Sequence, residues 1–236
     1  MMTSSNGRML NKYGFIIQAR MGSKRLPGKS IKKINNIPIL SWIIKSIKKK
    51  KNFKNFKIIV ATTNLKVDDI IVKISSKQGA KVYRGNHHNL LERYYLCAKK
   101  FALNNIIRLT SDNPFVDTFF LEKLIYEHTK NNNDYTSSKE SLPIGLGAEM
   151  MTYSALKKAY KFSKSNKEKE HVCDYIFNNP QKFKIQNLNF KYNSKRIKNL
   201  RLTVDTKEDL VFNRRYCNSK TKSNIRKLIK YDKNEN

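Results

Sequence analysis

"FIIQARMGSKRLPGKSI", residues 15–31, runs from an apolar stretch straight into a basic, glycine-containing turn. With Tyr13 and Gly14 in front, the apolar part predicts a buried strand over 13–19. The turn comes close to a P-loop, because Gly22 is followed by Gly28-Lys29-Ser30. However, five residues lie between the glycines instead of four, and one of them, Pro27, has no N–H to offer a phosphate. A P-loop also leads directly into its helix, whereas here the next helical pattern, "PILSWIIKSIKKK", starts at Pro38. The P-loop is rejected, which leaves a different phosphate loop or an ordinary basic surface loop. Arg20, Lys24, Arg25 and Lys29 place four cations in ten residues. Gly22 allows close backbone approach, while Ser23 and the main-chain N–H groups can donate to phosphate oxygens. Ligands of open α/β sheets bind beyond the carboxyl ends of the strands, where this turn falls.

The rest of the chain continues the alternation. Strands are expected at "FKIIVATT" (56–63), "AKVYRG" (80–85) and "NIIRLTSD" (105–112), with helices at 38–50, 67–79, 89–103 and 118–131. Gly79 reads as a helix C-cap. This pattern predicts a mostly parallel sheet with helices on both faces. After residue 134 the rhythm loosens. "DYTSS" reads as a strand, "LPIGLGAEMMTY" as a hairpin or crossing strands, 154–164 and 168–178 as helices, and "RLTVDTKEDLVF" as strand, acidic turn and helix. The last residues read as a short amphipathic helix and a frayed tail. One domain is the simplest count.

The chain has 236 residues, 39% hydrophobic and 11% aromatic, enough for a packed α/β core. No apolar run reaches the ~20 residues of a membrane-spanning helix, and "MMTSSNGRMLNKYG" lacks the apolar stretch of a signal peptide. Cys97, Cys173 and Cys217 form no disulfide or metal pattern. A cytoplasmic protein without membrane insertion is expected. The charge is +31, from 49 Lys+Arg against 18 Asp+Glu. Alone it suggests a nucleic-acid partner. Yet the lysines are spread along the chain among Asn and Ile, as in a compositional bias. The densest run, "KSIKKKKNFKNFK" (45–57), reads as a solvated helix end.

Among so few acids, Asp112 and Asp205 stand out at the ends of the expected strands "RLTSD" and "RLTVD". If both strands belong to one parallel sheet, both carboxylates reach the same crevice. Each also has a local reading: Asp112 as a turn residue before Pro114, Asp205 as a helix N-cap with Glu208 as its capping-box partner. Asp117 reads as a cap of the next helix.

The opening stretch closely resembles the signature of the cytidylyltransferases of nucleotide-sugar metabolism. It is most similar to the spore-coat polysaccharide branch; the acylneuraminate and 3-deoxy-manno-octulosonate enzymes are more distant. The resemblance continues in order through "IIVATT", "VYRGNHHNLLERYY", "IIRLTSDNPFVD", "GLGAEMM", "EHVCDYI" and "LRLTVDTKEDL", covering about residues 13–215. It implies a Rossmann-like, GT-A-like nucleotidyltransferase domain over 13–217, with an acceptor or dimerisation insert near 134–180 and flexible or short helical tails at 1–12 and 218–236. It implies a homodimer, CTP and a sugar-type acceptor as partners, and Mg²⁺ held by Asp112 and Asp205. It assigns Ala19, Arg20, Gly22, Ser23, Lys24, Thr62, Arg84 and Ser111 to the nucleotide. Arg93, Glu149, Glu170 and His171 go to the acceptor, and Arg20, Lys24 and Lys29 to catalysis. His87 and His88 stand where the family is commonly acidic and are expected on the surface, with no role assigned to them. Ser111 stands where relatives often have Gly. The expected reaction is Mg²⁺-dependent CMP transfer from CTP to a sugar acid or related glycan precursor, with pyrophosphate released. The alternatives are a basic nucleic-acid-binding protein, or the same fold using UTP or GTP.

Overall fold

A computed structural model describes residues 13–192, 195–219 and 225–232. Strand β1 (Tyr13–Gln18) is followed by a small hairpin of β2 (Lys33–Ile34) and β3 (Ile37–Pro38), and only then by helix α1 (Ile39–Lys48). The delay after the basic loop is as the sequence predicts. The alternation continues through β4 (Lys57–Thr63), α2 (Asp69–Lys77), β5 (Lys81–Gly85), α3 (Leu90–Lys100), β6 (Asn105–Thr110) and α4 (Thr118–Lys130). Next come β7 (Tyr135–Ser137), β8 (Glu149–Thr152), α5 (Tyr153–Phe162), α6 (Asn166–Glu170) and α7 (Asp174–Phe177). β9 (Ile185–Asn187), β10 (Asn189–Tyr192), α8 (Lys195–Lys198), α9 (Lys207–Cys217) and β11 (Ile229–Asp232) complete the described chain.

Seven strands form one sheet in the order β5-β4-β1-β6-β8-β7-β9. β1 lies parallel to both β4 and β6, and β4 parallel to β5, while β8 runs antiparallel to β6 and β7. The chain thus steps outward from β1 to β5, then returns to the other side of β1. That reversal puts the sheet's switch point, where ligands of such folds bind, at the carboxyl ends of β1 and β6.

The pleat sends alternate residues of β1 to opposite faces. Phe15 and Ile17 join α1, α2 and α4 in one core cluster. Ile16 joins α3, α5 and α7 in the other. Both faces are covered, which explains the near-continuous apolar strands. Part of the lysine-rich run 45–57 is structural too. Phe53 is buried, and it and Phe56 pack against Phe15, with Phe56 also stacked on Tyr13.

Two expectations change. "RLTVD" is not a strand of the sheet; only an isolated bridge from Arg201 to Ile144 is present. It lies as an extended segment against the loop before β8, with Leu202 N–H donating to Ile144 O at 2.6 Å. Gly145 permits that approach: a Cβ there would lie 2.4 Å from the Leu202 carbonyl carbon. The C-terminal stretch keeps the expected short helix, at 225–228, but is otherwise more than a frayed tail. β11 pairs antiparallel with β10, and Ile225 and Ile229 are buried in the main core. Residues 1–12, 220–224 and 233–236, expected to belong to the tails, lie outside the described residues.

Candidate active site

A cleft of about 610 Å³ opens over the carboxyl ends of β1 and β6. Ala19, Arg20, Ser23, Lys24, Arg25 and Lys29 from the basic loop line one part of it, with Ser111, Asp112 and Asp205. His87, His88, Arg93, Arg108, Glu170 and His171 line another.

The loop is closed on itself. Met21 O accepts from Ser23 N–H and from Gly28 N–H, both at 2.9 Å. Met21 N–H donates to the Asp68 carboxylate at 2.7 Å, tying the loop to the segment after β4. Asp68 is buried and also accepts from the Thr63 hydroxyl. The Ser30 and Ser111 hydroxyls share a buried 2.7 Å hydrogen bond, joining the loop to the end of β6. Ser111 N–H donates to Gln18 O, continuing the β1–β6 pairing by one residue.

At the centre, Lys29 Nζ donates to Asp112 Oδ2 at 2.5 Å and to Asp205 Oδ1 at 2.8 Å. Asp205 is brought there by a backbone bond and not by the sheet: Val204 N–H donates to Asp112 O at 2.8 Å. Its local reading shifts by one residue. Thr206 is the N-cap of α9 and Asp209 its capping-box partner, so the Asp205 carboxylate is free of that duty. Arg201 Nη2 holds Asp205 Oδ2 at 2.8 Å, and Arg25 Nη2 reaches Oδ1 at 3.0 Å. Burial disfavours charge on Lys29, but Asp112 and Asp205 outweigh it and raise its pKa. Burial likewise works against the Asp112 carboxylate, yet Lys29 keeps its pKa below the usual value.

The donor set suits a hard divalent cation. Two carboxylate oxygens converge on one point that a cation already holds. No group of three His, Cys, Asp or Glu capable of holding a metal occurs among the described residues. Mg²⁺ typically takes one or two carboxylates and completes its shell with phosphate and water.

Away from this centre, Arg93 is only 2% exposed and its Nε has no hydrogen-bond partner. Burial lowers its pKa. Gly85 makes room for it: a Cβ there would sit 3.2 Å from Arg93 Cγ. Burial lowers the pKa of His87, and His88, Arg20 and Arg93 add to the effect. A buried guanidinium with an unpartnered Nε at the edge of a cleft calls for an anionic or electron-rich ligand.

Several expected site residues lie elsewhere. Thr62 is fully buried in β4, and Arg84 turns away from the cleft to Thr63 O, Leu65 O and the Asp69 carboxylate. Glu149 lies beneath the cleft, 3% exposed, bound by Arg108, Lys139 and the Tyr135 hydroxyl. Its partner Arg108 does line the cleft. Gly22 is exposed, and a Cβ there would meet nothing within 4 Å. Asp117 caps α4 and pairs with Arg226.

His87, His88, Arg108 and Arg201 join the site beyond the residues expected from the sequence. Arg108 had a signal, a charge inside the apolar strand "NIIRLT". Arg201 had another, a cation four residues before Asp205.

A cation-rich loop and two acids at the switch point of a doubly wound sheet define a nucleotide-handling α/β enzyme. The comparisons narrow the class. The family described as Cytidylyltransferase matches residues 15–235. The spore coat polysaccharide biosynthesis protein SpsF of Bacillus subtilis is 34% identical over 203 residues, 85% of this chain and 84% of that protein. An uncharacterised protein of Methanocaldococcus jannaschii is 40% identical over 194 residues, 82% of this chain and 78% of that protein. The solved structure of a cytidylyltransferase from Leptospira borgpetersenii superposes with a TM-score of 0.76 at 33% identity, covering 84% of this chain and 83% of that one. The chain belongs to the cytidylyltransferase family and is a nucleotidyl-transferring enzyme.

Proposed function

We propose that this enzyme transfers CMP from CTP to a sugar acid or related precursor of a surface glycan, with Mg²⁺ held by Asp112 and Asp205. The observation that carries the reading is the convergence of these two carboxylates on one cationic point beside the basic loop. The similarity to a spore coat polysaccharide biosynthesis protein supports the glycan context.

The loop's Arg20, Lys24 and Ser23 hold the triphosphate across the end of β1. An acceptor hydroxyl oxygen attacks the α-phosphorus in line. The bond between that phosphorus and the bridging oxygen breaks, pyrophosphate leaves, and the hydroxyl proton passes to water. Lys29, Arg20 and Lys24 stabilise the charge that builds on the phosphate oxygens, in a site shaped before the substrate arrives. When bound, Mg²⁺ neutralises phosphate charge and orients the leaving group. Glu170 and His171 border the acceptor. A cytoplasmic homodimer completes the reading, following the family resemblance.

The test is calorimetric binding of CTP against ATP, GTP and UTP with Mg²⁺, alongside a duplex DNA control. Pyrophosphate release is then followed across a panel of sugar acids and polyol phosphates. A CTP preference with release on one acceptor class is the expected result. Equal binding of all four nucleotides, or tight salt-sensitive DNA binding alone, sinks the proposal.

A further inference from the structure

We propose that Lys29 is a built-in stand-in for the metal: in the nucleotide-free enzyme its ammonium holds Asp112 and Asp205 together, and metal binding drives it out into the cleft. This inference rests on the metal reading above and gives Lys29 two positions in one cycle.

The geometry requires an exchange. The ammonium nitrogen lies 2.5 Å from one Asp112 oxygen and 2.8 Å from one Asp205 oxygen. A divalent ion of the Mg²⁺ type would take those oxygens at about 2.0–2.1 Å, which leaves no room for a second cation at hydrogen-bond distance from both. The two carboxylates are also poorly placed to be left alone. Their side chains are 21% and 13% exposed, so like-charge repulsion between them is only partly screened. Some cation must occupy the point at every stage.

Lys29 is suited to leave. Its backbone is pinned, since Gly28 N–H donates to Met21 O, Lys29 N–H to Leu26 O, and Lys32 N–H to Lys29 O. The flexible four-carbon stem can swing while the loop stays in place. The side chain borders the cleft with Arg20, Ser23 and Lys24, so the released ammonium remains among the groups assigned to the triphosphate. The two acids differ in dependence. Asp205 keeps Arg201 and Arg25 after the exchange, whereas Lys29 is the ion-pair partner found for Asp112 among the described residues.

A coupling between ligands follows. Metal entering the empty enzyme breaks two ion pairs and pushes a third positive charge toward Arg20 and Lys24. Metal arriving with a triphosphate gives that charge a partner. Lys29 therefore weakens metal binding alone and makes metal and CTP binding mutually favourable, by the same factor in each direction.

The experiment measures Mn²⁺ binding to the whole protein by electron paramagnetic resonance, with and without CTP, in wild type and Lys29→Met. Without nucleotide, Lys29→Met is expected to bind Mn²⁺ about tenfold tighter than wild type, and the CTP-dependent gain in Mn²⁺ affinity shrinks. A second readout needs no substitution: amine acylation of wild type, read by mass spectrometry, should rise at Lys29 on adding Mn²⁺ alone. Unchanged Mn²⁺ affinity in Lys29→Met, or unchanged Lys29 labelling under saturating Mn²⁺, overturns the exchange. If wild type binds Mn²⁺ with CTP while either result holds, the metal reading survives and this inference alone falls. If no Mn²⁺ binds even with CTP, both fall.

Discussion

Two charge clusters lie within one sheet strand of each other, and they are built differently. Under the cleft, Glu149 is enclosed by Arg108, Lys139 and the Tyr135 hydroxyl. At the mouth, Asp112 and Asp205 share Lys29 and stay partly open to solvent. In each, a cation holds one carboxylate, Glu149 or Asp112, in the charged form against burial. In the first, every ion is committed to another part of the protein, and the cluster positions Arg108. In the second, the central cation can be replaced. A buried charge with a full set of partners is a structural fixture, and one with an exchangeable partner at a strand end is a place for chemistry.

The largest expected effect tests that contrast at the mouth. Asp112→Ala should lower pyrophosphate release by about a hundredfold to a thousandfold, the scale of losing a preorganised electrostatic group, while leaving the melting temperature near wild type. Near-normal turnover would remove Asp112 from the reaction. The mirror-image variant, Glu149→Ala, should strike stability first. It strands the Arg108 charge at the cleft wall, at a cost of about 3–5 kcal/mol in chemical denaturation. A mild effect on stability would mean that the enclosed cluster is not the fixture described.

The two clusters separate in acid as well. Burial works against the Glu149 carboxylate, but Arg108, Lys139 and Tyr135 override it and hold its pKa at about 2. A carboxylate whose folded pKa lies below its unfolded value contributes stability above the unfolded pKa and loses it as pH falls. The window runs from the ordinary glutamate value, near pH 4.3, down to about pH 2. Wild type should lose stability more steeply across that window than Glu149→Gln, followed by circular dichroism. Parallel acid profiles would contradict the assignment.

Smaller effects sharpen the edges. Lys24 is exposed in the basic loop, so Lys24→Ala should weaken CTP binding by about 1 kcal/mol in calorimetry, the scale of one charged contact near water. Arg84→Ala should leave CTP affinity unchanged, and its surface pairing with Asp69 should cost below about 1 kcal/mol of stability. A clear loss of CTP affinity would return Arg84 to the nucleotide.

Much of this was legible in the residues themselves. Short apolar runs alternating with 3.6-residue patterns fixed the parallel core through α4, because the central strands β1, β4 and β6 are buried on both faces and each helix carries one apolar stripe. The spacing around Pro27 separated the basic loop from a P-loop. Asp112 could be placed from local chain alone, since it follows β6 directly and the end of a parallel strand has one possible side. Asp205 could be named but not placed: it reaches the site on an extended segment outside the sheet, held by a hydrogen bond to Asp112's own carbonyl and by the close approach at Gly145. Arg84 and Glu149 show the same limit. Each sits in a segment that borders the cleft, but the strand's alternation turns one toward Asp69 and the other under Arg108. The sequence by itself determined the layered fold, the family and the loop that meets phosphate, because these depend on periodicity and on order along the chain. Which charges face one another was decided only by tertiary structure, because partners such as Lys29 and Asp205 are distant in sequence and meet only when the whole sheet and its flanking segments are assembled.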